Sequence, residues 1–211
     1  SKGGKLQARR IAAYQLSELF KDQEKVSFSE EFRHLAFDLT HPEEFALPAL
    51  KVEATLRDYQ ETGVKWMSML HRYGFGGILA DDMGLGKTLQ TIAFLSSQLK
   101  KETNVLILAP SSLIYNWLDE FAKFAPEMDV AVIYGLKPVR DNLIAEGHQV
   151  MITSYASFRQ DVEGYSQLNF DYLFLDEAQV MKNAQTKIAH HLRNFEVKNT
   201  FALSGTPIEN N

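Results

Sequence analysis

The chain has 211 residues, of which 45% are hydrophobic and 23% charged, enough for one large domain or a domain with a small appendage. It contains no cysteine, which excludes disulfides and thiolate metal sites, and its longest apolar runs fall far short of a bilayer span. Lys and Arg total 22 against 27 Asp and Glu, a formal net charge of −5, so contact with nucleic acid would need a local basic face. No signal peptide opens the chain, which fits a cytoplasmic protein without a membrane partner. The start at Ser1 without a methionine and the stop at Asn211, directly after a motif, suggest a piece cut from a longer protein.

Residues 1–54 read as a helical lead-in. Leu6, Ile11, Tyr14, Leu16 and Leu19 fit one helix, and Ser29 to Leu39 fits a second with Phe32, Leu35, Ala36 and Leu39 on one face. His34 and His41 are lone histidines, solvated or structural. Thr55 to Asp58 has the spacing of a capping box and predicts a helix from Leu56, with Tyr59, Val64, Trp66, Met67 and Leu70 as its apolar stripe and Tyr73-Gly74 as its end. Ile78 to Ala80 is a short buried strand, and Thr88 to Leu99 an amphipathic helix. Strands follow at Val105–Ala109, Val130–Tyr134, Val150–Thr153, Tyr172–Leu175 and Thr200–Leu203, with helices predicted over Leu113–Phe124 and Pro138–Glu146. Trp117, Phe121 and Phe124 fall in the packed face of the first of these.

Buried runs alternating with helices call for an α/β fold: a mainly parallel sheet covered on both faces. Ligands of such sheets bind beyond the carboxyl ends of the strands. The segments that follow strand ends are the loop before Lys87, Pro110-Ser111, Thr153-Ser154, Asp176-Glu177 and Ser204-Gly205, so one rim carries them all.

Gly76 to Gln90 reads GGILADDMGLGKTLQ, in the order strand, glycine loop, helix that a phosphate-binding loop requires. Gly84 and Gly86 let the backbone turn its N–H groups onto an anion, and the helix adds the positive end of its dipole. Lys87 would reach the β- and γ-phosphates and Thr88 would ligand Mg²⁺. Asp81 stands where the strict pattern has its first glycine, and the rival reading is a surface loop that happens to contain Gly-Lys-Thr. Asp176 at a strand end can hold the same Mg²⁺, and Glu177 can take a proton from water; the bland alternative is an exposed acidic turn. Gln60 offers a donor and an acceptor to an adenine edge, although a lone helical glutamine is usually a solvated surface residue.

Taken together, LRDYQ, ILADDMGLGKTLQT, LAPSSLIYNWLDEF, ITSYASFR, LFLDEAQVMKNAQTK and LSGTPIEN, in this order over residues 56–210, resemble the first RecA-like lobe of helicase superfamily two, in its Swi/Snf-type DNA translocase branch. Asp81 is itself what that family carries. The resemblance implies a P-loop, RecA-like lobe over residues 55–211 that hydrolyses ATP with Mg²⁺ and moves along double-stranded DNA, chromatin-remodeller fashion. A second RecA-like lobe would complete the site; without it the piece would be monomeric and nearly inactive. By position, Gln60 would read adenine. Asp82, Met83, Gly84, Leu85, Gly86, Lys87, Thr88 and Leu89 would form the nucleotide loop, with Lys87, Asp176 and Glu177 catalytic and Thr88 and Asp176 serving the metal. Ser111, Ser112, Thr153 and Ser154 would meet the DNA backbone; the alternative for each is turn or helix capping. Gln179, Ser204, Gly205 and Thr206 would couple the two. DEAQ in place of DEAH looks more like bacterial members, which would put the protein in the cytoplasm at the nucleoid. An RNA helicase lobe, or a module that binds ATP or a partner without turnover, stays open beside this.

Overall fold

Val105–Ala109 reads VLILA and forms strand β2, every residue of it fully buried. A strand apolar on both faces has to be covered on both. That requirement organises the chain. The structure is a computed structural model that describes residues 34, 37, 41, 44–74, 77–80, 86–178, 191–192 and 195–204, with only the backbone of 78 and 80. The first predicted lead-in helix lies outside these residues; of the second, His34 and Phe37 are described, both helical.

Along the described residues run α1 (Asp58–Arg72), β1 (Gly77–Ala80), α2 (Lys87–Gln98), β2 (Val105–Ala109), α3 (Ile114–Phe124) and β3 (Val130–Val132). Then come α4 (Lys137–Glu146), β4 (Val150–Ser154), α5 (Tyr155–Ser166), β5 (Phe170–Leu175) and β6 (Val197–Ser204). The strands form one 6-stranded sheet in the order β1-β6-β5-β2-β4-β3, with every neighbouring pair parallel. Registers such as Ala80 with Ser204, Leu108 with Leu175 and Ala109 with Ser154 bring the carboxyl ends to one edge.

Alternate side chains of each strand feed two cores. Val105, Ile107, Val150, Ile152, Phe174 and Phe201 face α1, α2 and α3, where Val64, Phe94, Trp117 and Phe121 meet them. Leu106, Leu108, Met151, Leu173 and Leu175 face the other way, against Ile144 of α4 and Phe158 and Tyr165 of α5. Residues 47–56 run across the first face: Leu47, Leu50, Val52 and Leu56 pack on that core, and the Glu53 N–H donates to the Phe124 carbonyl at 2.9 Å. Packing onto the lobe thus continues upstream of residue 55.

Several predicted boundaries move, each for a local reason. α1 begins at Asp58 rather than Leu56, because the Arg57 N–H donates to Gln60 Oε1 at 2.9 Å and Arg57, not Thr55, occupies the cap position. Tyr59 leaves the predicted buried stripe and is 39% exposed. Helix α5 was not predicted: YASFRQDVEGYS has few apolar residues and a glycine, and only Phe158, Asp161 and Tyr165 are buried. Ser154 starts it by accepting from the Ser157 N–H at 3.1 Å. β6 extends back to Val197 because its first half alternates exposed and buried residues instead of forming a continuous apolar run.

Candidate nucleotide site

Gly86 is the pivot between β1 and α2. Its φ of 105° lies in the left-handed region that favours glycine, and it takes the N-cap place of α2 with no side chain bonded there. No acidic residue stands in the first turn of α2, so the helix end presents backbone N–H groups and a positive dipole without an internal counter-charge. Lys87, the first residue of the helix, is 6% exposed, and its ammonium has no hydrogen-bond acceptor among the described residues. Its charge is met by Glu177, whose Oε1 lies 3.7 Å from Nζ.

Gln60 is buried, contrary to the solvated reading of a lone helical glutamine. Its Oε1 accepts from the Arg57 N–H, and its Nε2 lies so near Gly86 that a Cβ added there would sit 2.5 Å away. Gln60 and the end of the phosphate loop are therefore brought together, as the sequence led one to expect.

Asp176 and Glu177 leave the carboxyl end of β5, where the Asp176 N–H donates to the Leu108 carbonyl at 2.7 Å. The Asp176 carboxylate is buried; it accepts from Trp117 Nε1 at 2.8 Å and from the Glu177 backbone N–H at 2.9 Å. Burial pushes its acidity toward higher pH, and the indole bond opposes this; the Glu177 charge adds to the rise, while the Glu177 N–H and Lys87 counter it. Glu177 has φ 48°, an uncommon left-handed conformation for a residue with a Cβ, and its side chain is 29% exposed. One carboxylate is thus fixed and dry while its neighbour can reach water. An exposed acidic turn does not describe this pair. Lys87 and Asp176 follow strands that are not neighbours, because β6 runs between β1 and β5. The consequence is that buried Ser204, the last residue of β6, sits between the two halves of the site.

The remaining predicted residues divide. Ser111 and Ser112 are exposed in the turn after β2. Thr153 is fully buried and donates its hydroxyl to the Ile133 carbonyl at 3.0 Å, and Ser154 is 3% exposed as the cap of α5. Those two side chains serve the fold and are not available to a nucleic-acid backbone; capping, the alternative reading, holds for Ser154. Thr88 and Leu89 are half-buried in the first turn of α2. Asp82, Met83, Gly84, Leu85, Gln179, Gly205 and Thr206 lie outside the described residues. Two contacts were missed in the sequence: the Trp117 indole, read there only as packing, and the Tyr155 hydroxyl, which donates to the Asp176 carbonyl at 2.6 Å. A buried tryptophan needs an acceptor, which is a signal, but its partner depends on strand order.

The SNF2-related domain family matches residues 59–211 of the chain. That is well over half of it. The chain belongs to this family. Among its relatives, YwqA of Bacillus subtilis, provisionally named an ATP-dependent helicase/translocase, is 42% identical over 86% of this chain and 21% of its own length. The ISWI chromatin-remodeling complex ATPase ISW2 of Saccharomyces cerevisiae is 40% identical over 78% of this chain and 15% of its own. Of solved structures, the Sulfolobus solfataricus SWI2/SNF2 ATPase core in complex with dsDNA aligns with a TM-score of 0.69 at 39% identity, covering 79% of this chain and 35% of that one. The RecA-like fold of this SNF2-family chain is accordingly shown, and the chain spans about a fifth of YwqA's length.

Do the residues of this SNF2-family site suit ATP and Mg²⁺? A buried ammonium without an acceptor among the described residues is costly, and phosphate oxygens would supply one. Each Asp176 oxygen has one donor and keeps lone-pair capacity for a cation or its water. Mg²⁺ is commonly held by one or two carboxylates together with substrate phosphates, and the Asp176 carboxylate could be one of them. They fit. Among the described residues, no helix is long and apolar enough to cross a membrane.

Proposed function

We propose that this chain is the first ATP-binding lobe of an ATP-dependent translocase on double-stranded DNA, hydrolysing ATP to ADP and phosphate once a second RecA-like lobe faces it. The observation that carries the proposal is the Lys87 ammonium, buried at a helix N-terminus without a hydrogen-bond acceptor among the described residues and 3.7 Å from Glu177. The glycine loop and the first-turn N–H groups of α2, with Thr88 and Leu89 among them, would hold the phosphates, and Lys87 would bind the β- and γ-phosphates. Gln60, next to Gly86, would place the adenine end. Thr88 and Asp176 would hold Mg²⁺, which when bound neutralises charge on the β- and γ-phosphates. Glu177, water-accessible and held by its left-handed backbone, would orient the attacking water and accept its proton at a side-chain oxygen. Ser204, Gly205, Thr206 and Gln179 would relay the state of this site toward the DNA side, a role that the position of β6 supports for Ser204.

DNA contact falls to Ser111 and Ser112, whose exposed turn presents hydroxyls and backbone N–H groups to phosphates. The protein would be bacterial, cytoplasmic and nucleoid-associated, and the relation to YwqA of Bacillus subtilis supports the bacterial part. ATP turnover of the full-length protein, measured with duplex DNA, single-stranded DNA and RNA, tests the proposal. Stimulation by duplex DNA that Lys87→Ala abolishes is the expected result. Stimulation by RNA alone would replace it with the RNA helicase reading, and no turnover with any of them would leave an ATP-binding module.

A further inference from the structure

Trp117 is 1% exposed on α3 and donates its indole N–H to Asp176 Oδ2 at 2.8 Å. Packing alone does not need that N–H: Phe121, one turn on and just as buried, fills the same core with a plain ring. The other carboxylate oxygen, Oδ1, takes the Glu177 N–H at 2.9 Å. Two donors on two oxygens fix the plane of the carboxylate and hence where its remaining lone pairs point. The nearby Tyr155 hydroxyl does not duplicate the indole, because it donates to the Asp176 carbonyl instead.

The indole is also the end of a bonded path. The Leu113 N–H donates to the Pro110 carbonyl at 2.9 Å and the Trp117 N–H to the Leu113 carbonyl at 3.1 Å. Pro110 to Leu113 is the turn that exposes Ser111 and Ser112. We propose that Trp117 is a positioning residue: its indole N–H holds the Asp176 carboxylate in the orientation that receives the metal, and through α3 it ties that carboxylate to the turn at residues 110–113. This rests on the nucleotide-site reading above. Trp117 would itself touch neither substrate nor metal. It acts through Asp176.

Two measurements on the full-length protein test it. With ¹⁵N-labelled indole, the Trp117 resonance is assigned by its loss in Trp117→Phe or Trp117→Tyr. It should move when Mg²⁺ is added to the ADP complex; a resonance that stays in place overturns the proposal. Trp117→Phe keeps a buried ring and removes the donor. It should leave metal-free ADP binding, read by calorimetry, unchanged. It should also raise the Mg²⁺ needed for half-maximal turnover by about 10–100-fold, the usual cost of losing an outer-shell partner. Stimulation of turnover by duplex DNA should fall with it. A variant that melts earlier but keeps the wild-type Mg²⁺ requirement and DNA stimulation shows that Trp117 only packs, and overturns the proposal. Wild-type protein that binds no ADP would instead overturn the nucleotide-site reading, and this inference with it.

Discussion

Asp176 and Glu177 are covalent neighbours with opposite surroundings, and that contrast sorts their roles. Asp176 is dry and held by two donors; Glu177 reaches solvent and faces Lys87. Glu177→Gln keeps the shape and removes the basic oxygen, so ATP binding should persist while turnover falls by about 10²–10⁴-fold, the usual yield of a general base. Turnover within a few-fold of wild type would show that another group takes the proton. Lys87→Ala removes the buried cation that faces Glu177, and calorimetry should then detect no ATP binding; unchanged affinity would defeat the assignment. These residues were legible in the sequence because the phosphate loop and the acidic pair are each contiguous and carry their chemistry in residue type. Trp117 and Tyr155 were not, since their meaning lies in contacts across 59 and 21 residues that only the fold creates.

At the scale of elements, α1 and α2 approach closely because Gly63 has no side chain: a Cβ there would lie 1.8 Å from Gln90 Oε1. Gln90 is 2% exposed and has little room to yield. Gly63→Ala should therefore cost about 1–3 kcal/mol in urea unfolding, as overpacking does, and Gln90→Ala should restore much of it in the double variant. Additive losses would show that the two do not compete for space. At the other end of the strands, His148 bonds Asp129 at 3.0 Å and Glu146 at 3.0 Å, joining the approaches to β3 and β4. The Asp129 bond, against partial burial and with help from Glu146, raises its protonation range above the ordinary 6.5. A raised folded value means stability that is present below 6.5 and lost as pH climbs through the shifted range. The urea midpoint of wild type should fall over that window, and His148→Gln should lack that part of the fall. A variant that tracks wild type would remove His148 from the account. Continuous apolar runs made β2 and β4 readable to within a residue, whereas α5 escaped because its helix is written in capping and in two buried rings. Strand order escaped too, because nothing local says that β6 inserts between β1 and β5.

At the scale of the molecule, the nucleotide elements lie on one rim of one sheet, and the chain spans 35% of the Sulfolobus ATPase core that it resembles. On the proposed function this rim is one wall of a cleft. Lys87, Asp176 and Glu177 would grip the γ-phosphate and its water from this side, leaving the far side, where charge spreads as the bond to the leaving phosphate lengthens, to a facing domain. An arginine supplied from a facing domain contributes about 10³–10⁵ in rate in other phosphoryl-transfer enzymes. The 211-residue chain alone should therefore bind ATP weakly and turn it over slowly. Its grip on duplex DNA should be weak as well, since a net charge of −5 repels the backbone and the exposed Ser111–Ser112 turn offers few phosphate contacts. What binding remains should decline steeply as salt rises, in proportion to the phosphates neutralised. Steady-state turnover with and without duplex DNA, compared between this chain and the full-length protein, decides the matter. Stimulation confined to the full-length protein is expected; equal stimulated rates in both would mean that this rim is a complete catalytic site and that no second lobe is needed for hydrolysis.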